Sequence, residues 1–108
     1  MQKEIVYYQT GEGREPFKEW IEALKDKVIR YRIWSRVWRI GQGNYGDHKR
    51  FHGIIELRLN FGKGYRIYCA EKNNDIVVLL IGGDKSSQDN DIKSAQEYWR
   101  DYNEQNKI

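Results

Sequence analysis

The chain has 108 residues, a length that suits one hydrophobic core, so we expect residues 1–108 to form a single domain and exclude a second one. Charged residues make up 32% of the sequence, but four Trp, eight Tyr and three Phe supply apolar surface, which argues against a disordered chain. The formal net charge is +3, and it is unevenly distributed along the chain.

The basic residues are concentrated in the middle of the chain. Residues 25–66 contain eleven Lys and Arg against three Asp and Glu, a net charge of +8, whereas the segments on either side are acidic. A basic surface of this kind indicates a polyanion as the partner, or an acidic protein that masks the same surface. The two interpretations are compatible.

The sequence shows neither a membrane segment nor the cysteine content of an oxidising compartment. The first residues lack the apolar segment of a secretion signal, and the longest uninterrupted apolar run, Ile76–Ile81, has six residues. Cys69 is the only cysteine, so no internal disulfide can form. We therefore expect a cytoplasmic protein that does not bind membranes.

The first part of the chain predicts one strand followed by two helices. Alternating residues in Lys3–Gln9 indicate the strand. The first helix should begin near Glu15, with Pro16 in its first turn, and end near Lys25. Asp26 is placed to cap the second helix. The buried face of that helix carries four apolar residues at helical spacing, Ile29, Ile33, Val37 and Ile40.

The second predicted helix also carries a basic stripe. Arg32, Arg36 and Arg39 follow one another at i, i+4 and i+7 and lie about 90° around the helix from its apolar face. The stripe can bind a polyanion, and a solvated flank of the helix is the alternative. Residues 41–47 contain three glycines and should form a loop.

The two histidines of the chain follow this loop. His48 and His52 bracket Lys49 and Arg50, and Gly53 then opens the second strand. A metal site is a weak interpretation, because no cysteine and few acidic residues accompany the histidines. Proton transfer is a stronger one, since neutral imidazole accepts a proton near pH 7 and the flanking basic residues can hold RNA. A structural or surface role is the alternative for each histidine.

The second and third strands bring a pair of arginines together. Alternating residues predict strands over Ile55–Phe61 and Tyr65–Glu71, joined by a tight glycine turn. This pairing places Arg58 and Arg66 side by side on the sheet face that points away from the apolar core. Paired arginines suit a phosphate-rich ligand. The alternative is that both only solvate an exposed face and pair with Glu56.

The end of the chain predicts a central strand and a last helix. Ile76–Ile81 is apolar throughout, which is typical of a strand buried on both faces. The Gly-Gly-Asp-Lys sequence that follows lacks the spacing of a phosphate-binding P-loop. Ser86 with Asp89 can cap a final helix. Together the elements predict an α+β fold of order β-α-α-β-β-β-α, in which a small, mainly antiparallel sheet packs against an N-terminal helical hairpin and a C-terminal helix.

The chain resembles the RelE/ParE superfamily of type II toxins in this order of elements and in two stretches, FHGIIELRLNFGKGYRIY and VVLLIGGDKSSQDNDIKSAQEYW. Within that superfamily it looks like the HigB-like "addiction module killer" proteins, which are related to a phage protein group. The similarity extends over nearly the whole chain. It is strongest at Glu56-Leu57-Arg58, Gly64-Tyr65-Arg66 and Gly82-Gly83-Asp84-Lys85-Ser86.

The resemblance implies the toxin of a toxin–antitoxin module, an endoribonuclease that cleaves messenger RNA on the ribosome, inhibits translation and needs neither a metal nor a cofactor. It also implies a neutralising antitoxin, often with a helix-turn-helix domain. Arg58 and Arg66 match phosphate-binding positions of the family, and Lys85 matches the basic position after the last strand. His48 or His52 lies where some relatives carry an acid–base residue. Further RNA contacts are expected from six basic residues, Arg32, Arg36, Arg39, Lys49, Arg50 and Lys63.

The chain departs from the family in one respect. RelE-type sites often carry a tyrosine, or a His/Tyr pair, beyond the last strand, whereas here no aromatic residue follows Lys85 before Tyr98. The ParE branch shares the fold, lacks the nuclease residues and inhibits DNA gyrase, so a gyrase inhibitor is the alternative function. A module that binds structured RNA without cutting it is a third interpretation.

Overall fold

A five-stranded sheet lies between helices on both of its faces in the computed structural model, which describes residues 2–107. The two ends of the predicted domain, Met1 and Ile108, lie outside the described residues. The elements are β1 (Glu4–Tyr7), α1 (Pro16–Ala23), α2 (Lys27–Gly41), β2 (His48–Phe51), β3 (Ile54–Leu59), β4 (Tyr65–Lys72), β5 (Ile76–Gly83), a 3₁₀ turn (Lys85–Ser87) and α3 (Gln88–Gln105). Across residues 2–107, no helix combines the length and the apolar character that a membrane span needs.

The strands are ordered β1-β5-β4-β3-β2 in the sheet. β1 pairs with β5 in parallel, and the other three pairings are antiparallel. The predicted α+β class and the mainly antiparallel sheet are therefore confirmed, with one strand more than the sequence indicated. The additional strand is β2, an edge strand whose first three residues are polar and exposed. Such a strand has no alternation of buried and exposed residues, so periodicity does not reveal it.

The sheet separates two hydrophobic cores. On one face, α1 and α2 bury Phe17, Ile21, Ile33 and Ile40 against β3, β4 and β5. On the opposite face, α3 packs Ala95 and several partly buried aromatic side chains. The sequence placed the arginine pair on a face away from the apolar core, but α3 covers part of that face as well.

Capping residues explain where α2 begins and correct the predicted start of α3. The carboxylate of Asp26 accepts hydrogen bonds from the backbone N–H groups of Val28 (2.8 Å) and Ile29 (3.3 Å), as predicted. Before α3, Asp84 and not Ser86 is the capping residue: its carboxylate accepts the Ser86 N–H at 2.8 Å and caps the 3₁₀ turn Lys85–Ser87, which leads into α3. Ser87, at the start of α3 itself, makes no side-chain capping hydrogen bond. Hydrogen bonds from Ser86 hold the pKa of Asp84 below its ordinary value.

Two consecutive glycines allow both helical layers to approach the end of β5. A Cβ atom at Gly82 would lie 2.2 Å from the ring of Trp20 on α1. One at Gly83 would lie 1.8 Å from Oδ2 of Asp91 on α3. Neighbouring residues of a strand point to opposite faces, so each glycine admits one helix. The glycine pair therefore allows both helices to pack closely against the end of β5.

Gly82→Ala and Gly83→Ala should each lower the free energy of unfolding by about 1–3 kcal/mol, because the added methyl group overlaps a packed ring or carboxylate. Gly11→Ala is the matched control, since nothing lies within 4 Å of its Cβ position. Urea unfolding followed by tryptophan fluorescence measures all three variants. Equal stability of the three proteins would contradict the packing role of the glycine pair.

Candidate functional site

The two arginines predicted to be neighbours stand directly opposite each other on β3 and β4. Arg58 pairs with Arg66 in the antiparallel register, so the predicted adjacency is confirmed. Both lie on the α3 side of the sheet, because the adjacent Leu57 and Leu59 enter the core under α1 and α2. The Arg58 side chain is 36% exposed, whereas that of Arg66 is only 13% exposed.

A buried carboxylate joins the two guanidinium groups. Glu56 is 2% exposed, and its Oε1 lies 3.5 Å from Nε of Arg58, while its Oε2 lies 3.6 Å from Nε of Arg66. Two cations directly opposite each other destabilise a sheet. A carboxylate at this distance attracts each of them by about 4 kcal/mol, before the cost of desolvation is subtracted. The pairing with Glu56 that the sequence raised as an alternative is therefore present.

Two neutral groups complete the surroundings of Glu56. The hydroxyl of Tyr68, opposite Glu56 on β4, donates to Oε2 at 2.9 Å. Nε2 of Gln88, at the start of α3, donates to the same oxygen at 2.9 Å. Burial raises the pKa of Tyr68, and the hydrogen bond to Glu56 adds to this effect, so the phenol keeps its proton and remains a donor.

Sequence reasoning did not assign Tyr68 and Gln88 to the site. The alternation of β4 already placed Tyr68 on the same side as Arg66, and the register of the hairpin puts it opposite Glu56, so this residue could have been found. Gln88 had no comparable signal. It reaches Glu56 only because α3 packs across the sheet, which is a contact between residues 32 positions apart.

Arg66 is held more tightly than Arg58. Its Nη1 donates to the backbone oxygen of Gly64 at 2.8 Å, and its buried Nε makes no hydrogen bond. The nearby Glu56 carboxylate balances the positive charge on the Nε side of the Arg66 guanidinium. One arginine of the pair is thus fixed, and the other presents its guanidinium to solvent.

Two lysines, Lys63 and Lys85, lie beside the turn that joins β3 to β4, close to the arginine pair. The backbone N–H of Lys85 donates to the backbone oxygen of Lys63 at 3.3 Å, which ties the 3₁₀ turn to the β3–β4 turn. A Cβ atom at Gly64 would lie 3.4 Å from Cβ of Lys85 and 3.5 Å from Nη1 of Arg66. An open depression of about 530 Å³ is lined by Lys63, Asp84, Lys85 and Ser86. The structure therefore brings together four of the predicted residues, Arg58, Lys63, Arg66 and Lys85.

Neither histidine joins this group, which corrects the predicted set. His48 is opposite Leu57, and directly opposed residues share a face, so its imidazole lies on the α2 side of the sheet, near the ring of Tyr45. His52 lies in the tight turn between β2 and β3 with a φ of 52°, at the other end of β3 from Arg58. The sheet separates His48 from the arginines, and the length of β3 separates His52 from them.

Lys49 and Arg50 lie on opposite faces of β2. Lys49 is opposite Glu56, so it is on the side of the arginine pair, where it is exposed. Arg50 is on the other face and donates from Nη1 to Oε1 of Glu71 at 2.8 Å. This hydrogen bond holds the pKa of Glu71 below its ordinary value. Lys49 therefore extends the basic surface of the site, whereas Arg50 is engaged elsewhere.

Arg36 is a buried anchor of the following loop, which corrects its place in an exposed RNA-binding stripe. It is 8% exposed, and its guanidinium donates to the backbone oxygens of Tyr45 (2.7 Å), Asp47 (2.8 Å) and Arg58 (2.7 Å). Gly46 makes room for it, with a φ of 65° and a Cβ position only 2.9 Å from Nη2 of Arg36. Burial lowers the pKa of Arg36, although an arginine stays protonated.

Arg32 and Arg39 remain exposed on α2, on the other side of the sheet from the arginine pair. The guanidinium carbon of Arg32 lies 3.8 Å from the centroid of the Phe61 ring. A groove of about 350 Å³ runs between α2 and the end of β3, and these two arginines lie along it. The predicted stripe is therefore divided into one buried anchor and two exposed cations.

Within residues 2–107, no three His, Cys, Asp or Glu side chains are grouped so that they could hold a metal ion.

The chain is 46% identical to an uncharacterized protein of Haemophilus influenzae over 81 residues, which are 74% of this chain and 82% of that protein. No family model and no solved structure matches the chain.

Arg36→Gln should lower the free energy of unfolding by about 2–4 kcal/mol, because three carbonyl groups lose a charged donor and the loop over residues 41–47 loses its anchor. Arg39→Gln, three residues later and exposed, removes the same charge and should stay within about 0.5 kcal/mol of the unchanged protein. Chemical denaturation of both variants makes the comparison. If the two substitutions cost the same, Arg36 is not the anchor described.

Proposed function

We propose that this chain, which belongs to the same family as the Haemophilus influenzae protein, is the toxin of a type II toxin–antitoxin module and cleaves messenger RNA on the ribosome. One observation carries this function. Arg58 and Arg66 stand side by side, the buried Glu56 holds them, and Lys63 and Lys85 flank them. A fixed cluster of cations binds a phosphodiester and stabilises negative charge that develops on it.

The sequence motifs support the same function. Three segments carried the resemblance to RelE/ParE toxins, and their basic residues Arg58, Arg66 and Lys85 lie at one corner of the sheet. A RelE/ParE-like topology, with β1 parallel to β5 and α1 and α2 together on one face, is part of the proposal. The proposed partners are messenger RNA on the ribosome and a neutralising antitoxin. The proposed place of action is the cytoplasm.

RNA cleavage at this site begins with attack of a 2′-oxygen on the adjacent phosphorus. The bond from phosphorus to the 5′-oxygen breaks, which yields a 2′,3′-cyclic phosphate and a 5′-hydroxyl, while the 2′-hydroxyl loses one proton and the leaving oxygen gains one. The pentavalent transition state gains negative charge on its other oxygens. The accessible guanidinium of Arg58 binds that charge, and Arg66 and Lys85 add positive potential. Glu56 is a positioning residue, since it is buried and acts through the two arginines.

Arg58→Ala should lower messenger-RNA cleavage by about 10²–10³-fold, because a preorganised charge is lost at the transition state. Arg58→Lys should restore only part of the rate, since an ammonium lacks the planar pair of donors. Arg100→Ala, exposed on α3, is the control for loss of one positive charge. Mapping of messenger-RNA 5′ ends after induction measures cleavage, antitoxin binding shows that the fold is intact, and thermal unfolding measures stability.

Arg66→Ala tests the second member of the pair. The buried Glu56 loses one of its two ion pairs in this variant, so a stability cost of about 1–3 kcal/mol is expected in addition to the loss of cleavage. Rates are therefore compared at temperatures where each variant is folded. Normal cleavage by folded Arg58→Ala and Arg66→Ala proteins would show that this face is not the active site.

Inhibition of DNA gyrase is the second candidate function. The observation that favours it is the separation of both histidines from the arginine pair, which leaves the pair without a neighbouring imidazole for proton transfer. A gyrase supercoiling assay run beside the mapping of 5′ ends distinguishes the two. Intact messages together with inhibited gyrase support the ParE-like function and contradict the nuclease.

Replacement of His48 and His52 by Gln, singly and together, should leave the cleavage rate within about twofold of that of the unchanged protein, because neither imidazole lies beside the arginine pair. The pH dependence of the rate should be unaltered as well. Single-turnover cleavage of a ribosome-bound message provides the measurement. A loss of about 10²-fold in either single variant would restore histidine as the general base.

A further inference from the structure

Within residues 2–107, the large apolar side chains that remain exposed all lie on α2. Val28 is 66% exposed, Tyr31 73%, Trp34 37% and Trp38 66%. Their spacing places them along one side of the helix over about three turns, a length of roughly 15 Å. These four residues are called the α2 aromatic face below.

The α2 aromatic face projects away from the core under α1 and α2. Trp34 is the member that reaches inward, with its ring 6.3 Å from that of Tyr7 and 6.0 Å from that of Phe17. Tyr31 and Trp38 leave most of their surface in water. Exposed apolar side chains gathered in one patch are typical of an interaction site.

The charges beside the α2 aromatic face are basic. The sequence of α2 contains five Lys and Arg and no Asp or Glu. Arg32 and Arg39 are exposed, and among the described residues neither forms an ion pair with a carboxylate. Both line the groove of about 350 Å³ that ends at Phe61. A carboxylate on a partner can enter this groove and bind them.

We propose that the α2 aromatic face binds an acidic amphipathic helix of a partner protein. The apolar side chains of that helix pack on Tyr31 and Trp38, and its carboxylates bind Arg32 and Arg39, in the way that amphipathic helices use residues one turn apart as anchors. This binding surface is additional to the proposed function and does not depend on RNA cleavage. It lies across the sheet from Arg58.

RNA fits the α2 aromatic face less well than a helix does. An RNA strand needs several cations along the path of its phosphates. Here backbone oxygens bind the guanidinium of Arg36, and that of Arg30 donates to another backbone oxygen, which leaves Arg32 and Arg39 as the arginines of α2 whose guanidinium groups are open to a partner. Val28 offers no ring on which a base can stack. An apolar stripe with two flanking cations therefore matches an acidic helix.

A peptide-display library tests this interaction on the full chain. The library encodes helices of about sixteen residues with leucine at i, i+3, i+4 and i+7, and with Glu, Lys, Gln or Ala at random elsewhere. Selected helices should be rich in Glu. One of them should bind the Tyr31→Ala/Trp38→Ala double variant at least about 100-fold more weakly. The Tyr31→Phe/Trp38→Phe double variant keeps the apolar rings and should retain most of the affinity.

Charge and folding are controlled separately. Arg39→Glu should weaken binding of the selected helix about tenfold, and raising the salt concentration should weaken it further. Circular dichroism and thermal unfolding of each variant show that lost binding is not lost folding.

Four outcomes would overturn the assignment. The first two are selection of Lys-rich helices and unchanged affinity of the Tyr31→Ala/Trp38→Ala variant for the selected helix. The third is loss of poly(U) RNA binding in that variant, which would assign the face to RNA. The fourth is a dimer, seen by analytical ultracentrifugation, that the same variant abolishes, which would assign the face to a second copy of the chain.

Discussion

The buried carboxylate of Glu56 is the constraint on which the candidate site depends. Arg58 and Arg66 face each other on adjacent strands, and their repulsion would drive the two guanidinium groups apart if no anion lay between them. Tyr68 and Gln88 both donate to this carboxylate, which keeps it in place inside the protein. The outcome is a pair of cations whose arrangement exists before any ligand binds, and the proposed stabilisation of a transition state requires preorganised charge of this kind.

The end of β5 determines where the rest of the site lies. Gly82 and Gly83 carry no side chain that would hold α1 and α3 away from the sheet. Because α3 approaches so closely, Gln88 reaches Glu56, and the 3₁₀ turn before it carries Lys85 to the β3–β4 turn. The same glycine pair therefore serves the packing of both layers and the assembly of the basic corner.

The basic residues in the middle of the chain have three separate roles. Arg36 binds loop carbonyls and, through the backbone oxygen of Arg58, supports the strand that carries the site. The arginine pair and Lys85 form the basic corner on the α3 side. Arg32 and Arg39 border the α2 aromatic face on the other side of the sheet. The net charge of residues 25–66 indicated a polyanion or an acidic protein as the partner. The basic corner is the proposed site for the polyanion, and the α2 aromatic face is the proposed site for the acidic protein.

By itself, the sequence determined the strands of the β3–β4 hairpin and the adjacency of Arg58 and Arg66, because alternation around a tight glycine turn is a local pattern that sets the register. It did not reveal β2, so the face on which His48 lies could not be assigned. Only the tertiary structure decided which charged groups are open to a ligand. Arg36 has the same helical spacing as its exposed neighbours and is nevertheless buried, and Glu56 is buried because α3 packs over it. Burial of this kind arises from contacts between residues far apart in the chain, and local periodicity carries no information about them.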